Sequence, residues 1–153
     1  LRFMKKIEQL KNIAKKYGIT LIYLFGSQAK NGVAYLYDRS YRVKKRSDLD
    51  IGVVFKNFPI NAKEKIKIYE ELYTDLALLF DPFEIDLIFL QEINPLLQLE
   101  AIKGFAIYVE DEIFQEDYEE LVMKKAEDLR FKKREFDKEV LEARKDGYFE
   151  IEL

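Results

Sequence analysis

The chain has 153 residues, of which 48% are hydrophobic and 36% are charged, with a net charge of −3. This length and composition predict one globular domain with a real core and exclude global disorder. Because the sequence has neither cysteine nor histidine, it excludes disulfides, thiolate zinc sites, cysteine nucleophiles and Ser-His-Asp triads.

The chain begins with a predicted helix and a predicted strand. Apolar residues at alternating spacings of four and three through residues 3–17 indicate an amphipathic helix that ends at Gly18. The apolar, β-branched and aromatic stretch 20–25 predicts a strand buried on both faces. Gly26 breaks this strand, and residues 28–30 could open a short helix.

The segment 33–46 is unusual because tyrosine and valine alternate with other residues around a polar turn. We interpret it as an insertion that forms either an excursion hairpin or a mobile loop. Its tyrosines could stack on a base or pack the insertion onto the domain. Its basic residues could bind a nucleoside triphosphate, an RNA or an acidic partner surface, or they could simply be solvated. These residues are Arg39, Arg42, Lys44, Lys45 and Arg46.

The middle of the chain predicts two further strands around a helix. Residues 47–55 are polar at first and then apolar, as in a strand that enters the core. Asn61 is a plausible N-cap of the following helix, which Asp81-Pro82 ends. Residues 83–90 predict the third strand.

The last third predicts a helix opened by Asn94-Pro95, ended by Gly104, and a short fourth strand over 105–109. A long charged helix follows from about residue 114 to 145, with the tail YFEIEL behind it.

Alternating helices and strands predict an α+β (α/β-like) fold, with helices packed on a small mixed β-sheet. We expect a single domain over residues 1–153, with a core at 1–110, the insertion at 33–46, and the C-terminal helix and tail at 113–153.

Three aspartates are the strongest candidates for chemistry. Asp48 and Asp50 are two positions apart on a predicted strand, so they share a face and stand roughly 6–7 Å apart. Asp86 lies inside an apolar strand, where a carboxylate is unfavourable unless it meets water, a partner or a metal. If the strands pair, the three converge into a site for two Mg²⁺ or Mn²⁺ ions about 4 Å apart. The alternative for each is a solvated aspartate at a strand end or on an open sheet face.

Gly26 and Ser27 directly follow the first strand. Glycine permits a tight turn and a close backbone approach, and the N–H groups that follow could hold a phosphate. The alternative is an ordinary strand-to-helix turn with Ser27 as the N-cap.

Together these motifs resemble the DNA polymerase beta nucleotidyltransferase superfamily, and within it the minimal, MNT-type branch. GSQAKN (26–31) and SDLDIG (47–52) stand where that branch typically has GSxARG and SDxDL. AIKGFAIY (101–108) resembles a segment near that family's C-terminus. This chain differs in the twenty residues between Ser27 and Asp48, and in Lys30, which replaces an arginine and lacks its bidentate fork.

The resemblance implies a Mg²⁺-dependent (or Mn²⁺-dependent) nucleotidyltransferase that uses ATP. Asp48, Asp50 and Asp86 would be the catalytic and metal-binding residues. The nucleotide-binding residues would be Gly26, Ser27, Lys30 and Ser47.

The resemblance also implies a partner, a HEPN-domain toxin with a tyrosine as the acceptor hydroxyl, so the protein would act as an antitoxin. The long helix or the tail could form the contact. The alternative is a weak or inactive nucleotidyltransferase-fold module that neutralises its partner by covering it. Nucleic-acid binding is not favoured by the net charge, and a homo-oligomer is possible.

The sequence shows no apolar run near the roughly 20 residues of a membrane span and no secretory signal. We therefore expect a cytoplasmic protein without a membrane partner.

Overall fold

A computed structural model describes residues 4–44 and 46–146 of the chain. Its elements alternate along the chain, as the sequence predicts. They are α1 (Lys6–Tyr17), β1 (Ile19–Phe25), α2 (Ala29–Leu36), β2 (Leu49–Phe55), α3 (Ala62–Phe80), β3 (Ile85–Phe89), a 3₁₀ turn (Leu90–Glu92), α4 (Pro95–Ile102), β4 (Phe105–Val109) and α5 (Glu112–Lys145).

The four described strands form one sheet in the order β3-β2-β1-β4. β2 pairs with β3 in parallel, whereas β1 pairs with β2 and with β4 in antiparallel fashion. The predicted mixed sheet is therefore confirmed. The end of β1 lies beside the beginning of β2, because Phe25 pairs with Asp50.

Each face of the sheet has its own apolar layer. One layer carries Leu49 and Ile51 of β2 and packs against α1, α2 and α3. The other contains Tyr23 and Val54 and packs against α4 and the beginning of α5. Because side chains alternate along a strand, Asp50 projects on the α4 side of β2.

Local sequence signals set the helix ends. Gly18 has φ +66° and closes α1 by donating its N–H to the carbonyls of Ala14 and Lys15. The Asn61 side chain accepts from the first turn of α3, and Asn94 does the same for α4. Asp111 caps α5, which therefore begins two residues earlier than predicted.

The hairpin alternative for the insertion 33–46 is wrong. Residues up to Leu36 belong to α2, and residues 37–44 contain no strand. Tyr35 is buried and donates its hydroxyl to the carbonyl of Leu79 at 2.6 Å, and the ring of Tyr41 packs edge-on against it with centroids 5.2 Å apart. These two tyrosines thus pack the insertion onto the domain.

The strand prediction 47–55 begins two residues too early, since β2 starts at Leu49 and Asp48 immediately precedes it. Phe3, Lys45 and the tail 148–153, all used in the sequence predictions, lie outside the described residues. Within the described ranges, every helix is too short or too polar to cross a bilayer.

Tyr17→Phe is expected to cost about 1 kcal/mol of stability at pH 7, because it removes a hydrogen bond between α1 and α3. The Tyr17 hydroxyl donates to Asp75 Oδ2 at 2.6 Å. This bond, opposed by burial and aided by Lys16, holds the pKa of Asp75 below its ordinary value. The contribution is therefore present above the unfolded pKa near 3.9 and is lost as the pH falls through the folded pKa.

Urea denaturation at pH 7 and near pH 3 measures this difference. The control is Tyr73→Phe on α3, whose hydroxyl makes no hydrogen bond within residues 4–44 and 46–146. A stability loss for Tyr17→Phe that is the same at both pH values would contradict the prediction.

Candidate active site

The structure places Asp50 and Asp86 side by side. They are direct partners in the parallel β2–β3 pair, where strands lie about 4.8 Å apart. Their neighbours Leu49, Ile51 and Ile85 are buried in the apolar layer on the other face. The two carboxylates therefore share one face of the sheet, and the β-structure around them fixes their register.

Asp48 is exposed and immediately precedes β2, so its negative charge acts on the same pair of carboxylates. The pKa of Asp50 is raised first by burial, and then by the negative charges of Asp86 and Asp48. Within the described residues, none of the three aspartates forms an ion pair with lysine or arginine. The structure thus gathers negative charge that no described cationic side chain offsets.

Such a donor set fits a divalent cation in its chemistry. Carboxylate oxygens are hard ligands that suit Mg²⁺ or Mn²⁺, and a cation would offset the repulsion that raises the pKa of Asp50. In residues 4–44 and 46–146, no three acidic side chains stand close enough together, as they are placed, to hold an ion. The fit therefore rests on the type and register of the carboxylates.

Gly26 brings the loop after β1 against this centre. Its φ is +78°, a value that side chains disfavour. A Cβ atom built on Gly26 would overlap Oδ2 of Asp50. The carbonyl of Gly26 accepts from Ala29 N at 3.3 Å, which tightens the turn into α2. Glycine is required here because the backbone itself is the neighbour of the carboxylate.

The two predicted serines meet across this edge of the sheet. Ser27 Oγ and Ser47 Oγ share a hydrogen bond of 2.6 Å. Gln28, which is fully buried, donates its side-chain amide to the carbonyls of Lys44 and Ser47 at 3.1 and 3.3 Å. The segment before Asp48 is therefore tied to the start of α2.

An open cleft of about 550 Å³ lies beside these residues. Lys30, Lys44 and Lys103 bring three positive charges to its wall, and Glu100 adds one negative charge. The Lys44 ammonium donates to the carbonyl of Ser27 at 3.4 Å. A cleft with a glycine turn, a helix N-terminus and several lysines suits a polyphosphate.

The remaining lining residues of the cleft are apolar except for glycine and the hydroxyl-bearing Ser27. They are Phe25, Gly26, Ser27, Ala29, Gly104 and Phe105.

Sequence reasoning named Lys30 as a nucleotide-binding residue but missed Lys103, and it treated Lys44 only as part of a basic segment. The signal for Lys103 was present, since it lies in the AIKGFAIY stretch next to Gly104. Asp86 and Ser47 were also named from the sequence, which expected Asp86 to converge on Asp48 and Asp50 if the strands pair but did not predict the bond between the serines.

Comparison with known proteins gives a family match. The family model described as "Polymerase beta, Nucleotidyltransferase" matches residues 8–113. No curated protein matches the sequence.

Solved structures share the fold, among them three toxin–antitoxin complexes. A mutant MntA–HpeT toxin–antitoxin complex matches with 17% identity and a TM-score of 0.64, over 88% of this chain and 98% of that one. A toxin–antitoxin with AMP-PNP matches with 20% identity and a TM-score of 0.62 over the same shares. A complex of tri-AMPylated Shewanella oneidensis HEPN toxin with MNT antitoxin matches with 14% identity and a TM-score of 0.57, over 89% and 96%. At these identities the likeness establishes the fold.

Proposed function

The chain belongs to the polymerase beta nucleotidyltransferase family, and on that premise we propose that it transfers AMP from ATP to a hydroxyl group of a partner protein. The observation that carries this proposal is the pairing of Asp50 with Asp86, with the Gly26 turn directly against the Asp50 carboxylate. It joins a carboxylate pair to a loop that can hold phosphates. Nucleotidyl transfer needs both at one place.

Each residue of the site has a proposed role. Asp48, Asp50 and Asp86 would hold Mg²⁺, which when bound supplies charge neutralisation on the triphosphate and lowers the pKa of the acceptor hydroxyl. Gly26 and Ser27 offer backbone N–H groups and a hydroxyl to the β- and γ-phosphates.

Further groups near the phosphates would assist. Lys30, Lys44 and Lys103 attract the triphosphate from the cleft wall. Ser47 positions Ser27 through their hydrogen bond.

The transfer itself exchanges a phosphoanhydride bond for a phosphoester bond. The acceptor oxygen attacks the α-phosphorus, a new P–O bond forms, and the bond to the β-phosphate oxygen breaks to release pyrophosphate. Asp86, the exposed member of the pair, accepts the proton of the hydroxyl. Most of the rate enhancement comes from positioning and electrostatics, which explains how a site without histidine can work.

The proposed acceptor is a tyrosine of a HEPN-domain toxin, which would make the protein an antitoxin. The support is the recurrence of toxin–antitoxin complexes among proteins of the same fold, one of them with an AMPylated HEPN toxin. The proposal rests on fold likeness and on the carboxylate centre together.

A second candidate is a binding module that neutralises the same partner by contact. It is favoured by the arrangement of the acidic side chains, because no three in the described ranges stand ready to hold an ion. In this case the carboxylates would not matter for neutralisation.

Titration of Mn²⁺ and ATP into the purified protein tests the enzyme. Saturable ATP binding that requires the divalent ion, and transfer of label to the partner from α-labelled but not γ-labelled ATP, are expected. Absence of binding at millimolar metal and nucleotide would refute the enzyme. An Asp48→Ala/Asp50→Ala variant that neutralises the partner as well as the wild type would establish the binding module.

A further inference from the structure

The second half of α5 carries an apolar stripe that no described part of the chain covers. In the first half, Val122 and Ala126 are buried against Leu99 of α4. Beyond them the stripe continues, with Leu129 36% exposed and Phe136 64% exposed. We call the continuation the distal seam; it consists of Leu129, Lys133, Phe136, Val140 and Ala143.

The spacing of the distal seam is that of a coiled coil. Its members, together with Val122 and Ala126, follow one another at alternating intervals of three and four residues. This is the repeat that lets one helix insert its side chains between those of another helix. The seam spans fifteen residues, or about 22 Å of helix, and it begins where the cover from α4 ends.

Charged residues border the distal seam in a self-complementary order. Arg130 and Asp137 lie on one flank, and Lys132 and Glu139 lie on the other. None of the four forms an ion pair within residues 4–44 and 46–146. In an antiparallel pair of identical helices, each flank faces the same flank of the second copy. Ion pairs can then form only if positive and negative residues alternate along that flank, as they do here.

One register satisfies both flanks and four of the five seam residues, since Ala143 would lie level with Ala126, which α4 already covers. When Leu129 lies opposite Val140 of a second copy, Lys133 lies opposite Phe136. The same register sets Arg130 against Asp137 and Lys132 against Glu139. A two-fold axis repeats each contact, so the interface is closed and gains four ion pairs.

The lysine in the seam selects the orientation. In a parallel pair, Lys133 would face Lys133 of the second copy in an apolar layer, which is unfavourable. In the antiparallel pair, its aliphatic stem lies along the ring of Phe136 and its ammonium reaches solvent. A single lysine at such a position is known to specify register and oligomeric state.

We propose that the distal seam of α5 binds the distal seam of a second copy of this chain in antiparallel orientation. This pairing is independent of the proposed activity, since it uses no residue of the carboxylate centre or the cleft. It places the two sheets, with their candidate sites, at opposite ends of the paired helices.

Sedimentation equilibrium over a concentration series tests the pairing on the full chain. The wild type is expected to reach twice the 18.3 kDa mass of one chain, and Phe136→Ala to remain monomeric. Lys132→Glu should raise the dissociation constant at least about tenfold, and Lys132→Glu/Glu139→Lys should restore it.

The matched control is Lys138→Glu on the outer face of α5. Each of the two lysines has an acidic residue four positions away, Asp128 for Lys132 and Glu142 for Lys138. Circular dichroism checks that the variants keep their helix. A wild type that stays monomeric at every concentration overturns the proposal. This outcome includes a chain that uses α5 only to bind a different partner. So does a dimer that responds equally to Lys132→Glu and Lys138→Glu.

The orientation has a separate readout because the chain contains no cysteine. A spin label at Lys145→Cys is expected to give a distance of about 30 Å between the two copies, since 21 helical residues separate the labels in the proposed register. A distance near 10 Å, as in a parallel pair, overturns the antiparallel assignment.

Discussion

Asp50→Asn is expected to lower the rate of nucleotidyl transfer by about a thousandfold or more while leaving the fold intact. Of the three aspartates, Asp50 is the one that lies beside both Asp86 and the Gly26 turn. It pairs with Asp86 across the sheet, and Gly26 lies against its carboxylate. Asparagine keeps the shape but removes the charge, so the effect reports charge and not packing. Single-turnover transfer from α-labelled ATP measures it.

The same variant should be at least as stable as the wild type when no divalent ion is present. Burial, Asp86 and Asp48 raise the pKa of Asp50, so its charged form is disfavoured in the folded state. As the pH falls through the folded pKa of Asp50, protonation of this carboxylate therefore increases the stability of the wild type. Asp50→Asn lacks this pH dependence. Thermal denaturation in EDTA at pH 8 and near pH 4, close to the ordinary pKa of an aspartate, separates the two proteins.

Asp81→Asn serves as the control, because Asp81 is an exposed residue in the turn after α3. It should change neither the transfer rate nor the response of stability to Mn²⁺. An Asp50→Asn protein that transfers AMP within tenfold of the wild type would remove Asp50 from the proposed centre. A variant that unfolds would show that Asp50 has a structural role instead.

Gly104→Ala should destabilise the protein by about 3 kcal/mol, the upper end of the usual cost of overpacking. A Cβ atom at Gly104 would overlap the backbone carbonyl of Leu24 and lie 2.8 Å from Cβ of Phe25. Both belong to β1, which has a neighbour on each side and cannot shift without disturbing β2 and β4. Urea denaturation gives the size of the loss.

Gly18→Ala is the matched control for this substitution. Gly18 has a positive φ of +66°, but a Cβ atom there meets nothing within 4 Å. Its cost is therefore only the left-handed backbone penalty of about 1 kcal/mol. Equal losses for the two variants would mean that the close approach of Gly104 to β1 carries no energetic weight.

The sequence predicted the regular elements well because their signals are local. The helix period, the stop at Gly18 and the caps Asn61 and Asn94 act within one or two turns of chain. The hairpin alternative for the insertion was wrong because alternating tyrosines imitate a strand, whereas Tyr35 owes its helical position to contacts with the end of α3. Such contacts join residues more than forty positions apart and leave no local pattern.

The candidate site divides in the same way. The spacing of Asp48 and Asp50, and the isolation of Asp86 in an apolar strand, were visible in the sequence. The exact partnership of Asp50 with Asp86 depends on strand register, which turns and packing decide. Lys44 and Lys103 reach one cleft from segments about sixty residues apart, so only the assembled fold shows that they are neighbours.

The buried amide of Gln28 has a consequence for how this chain can diverge. By binding the carbonyls of Lys44 and Ser47, it closes the base of the insertion, so the chain re-enters β2 from the same point whatever lies between. Doubling the length of such a loop costs only about 0.6 kcal/mol of closure entropy. We therefore expect residues inserted between Leu36 and Tyr41 to be tolerated while the carboxylates keep their place.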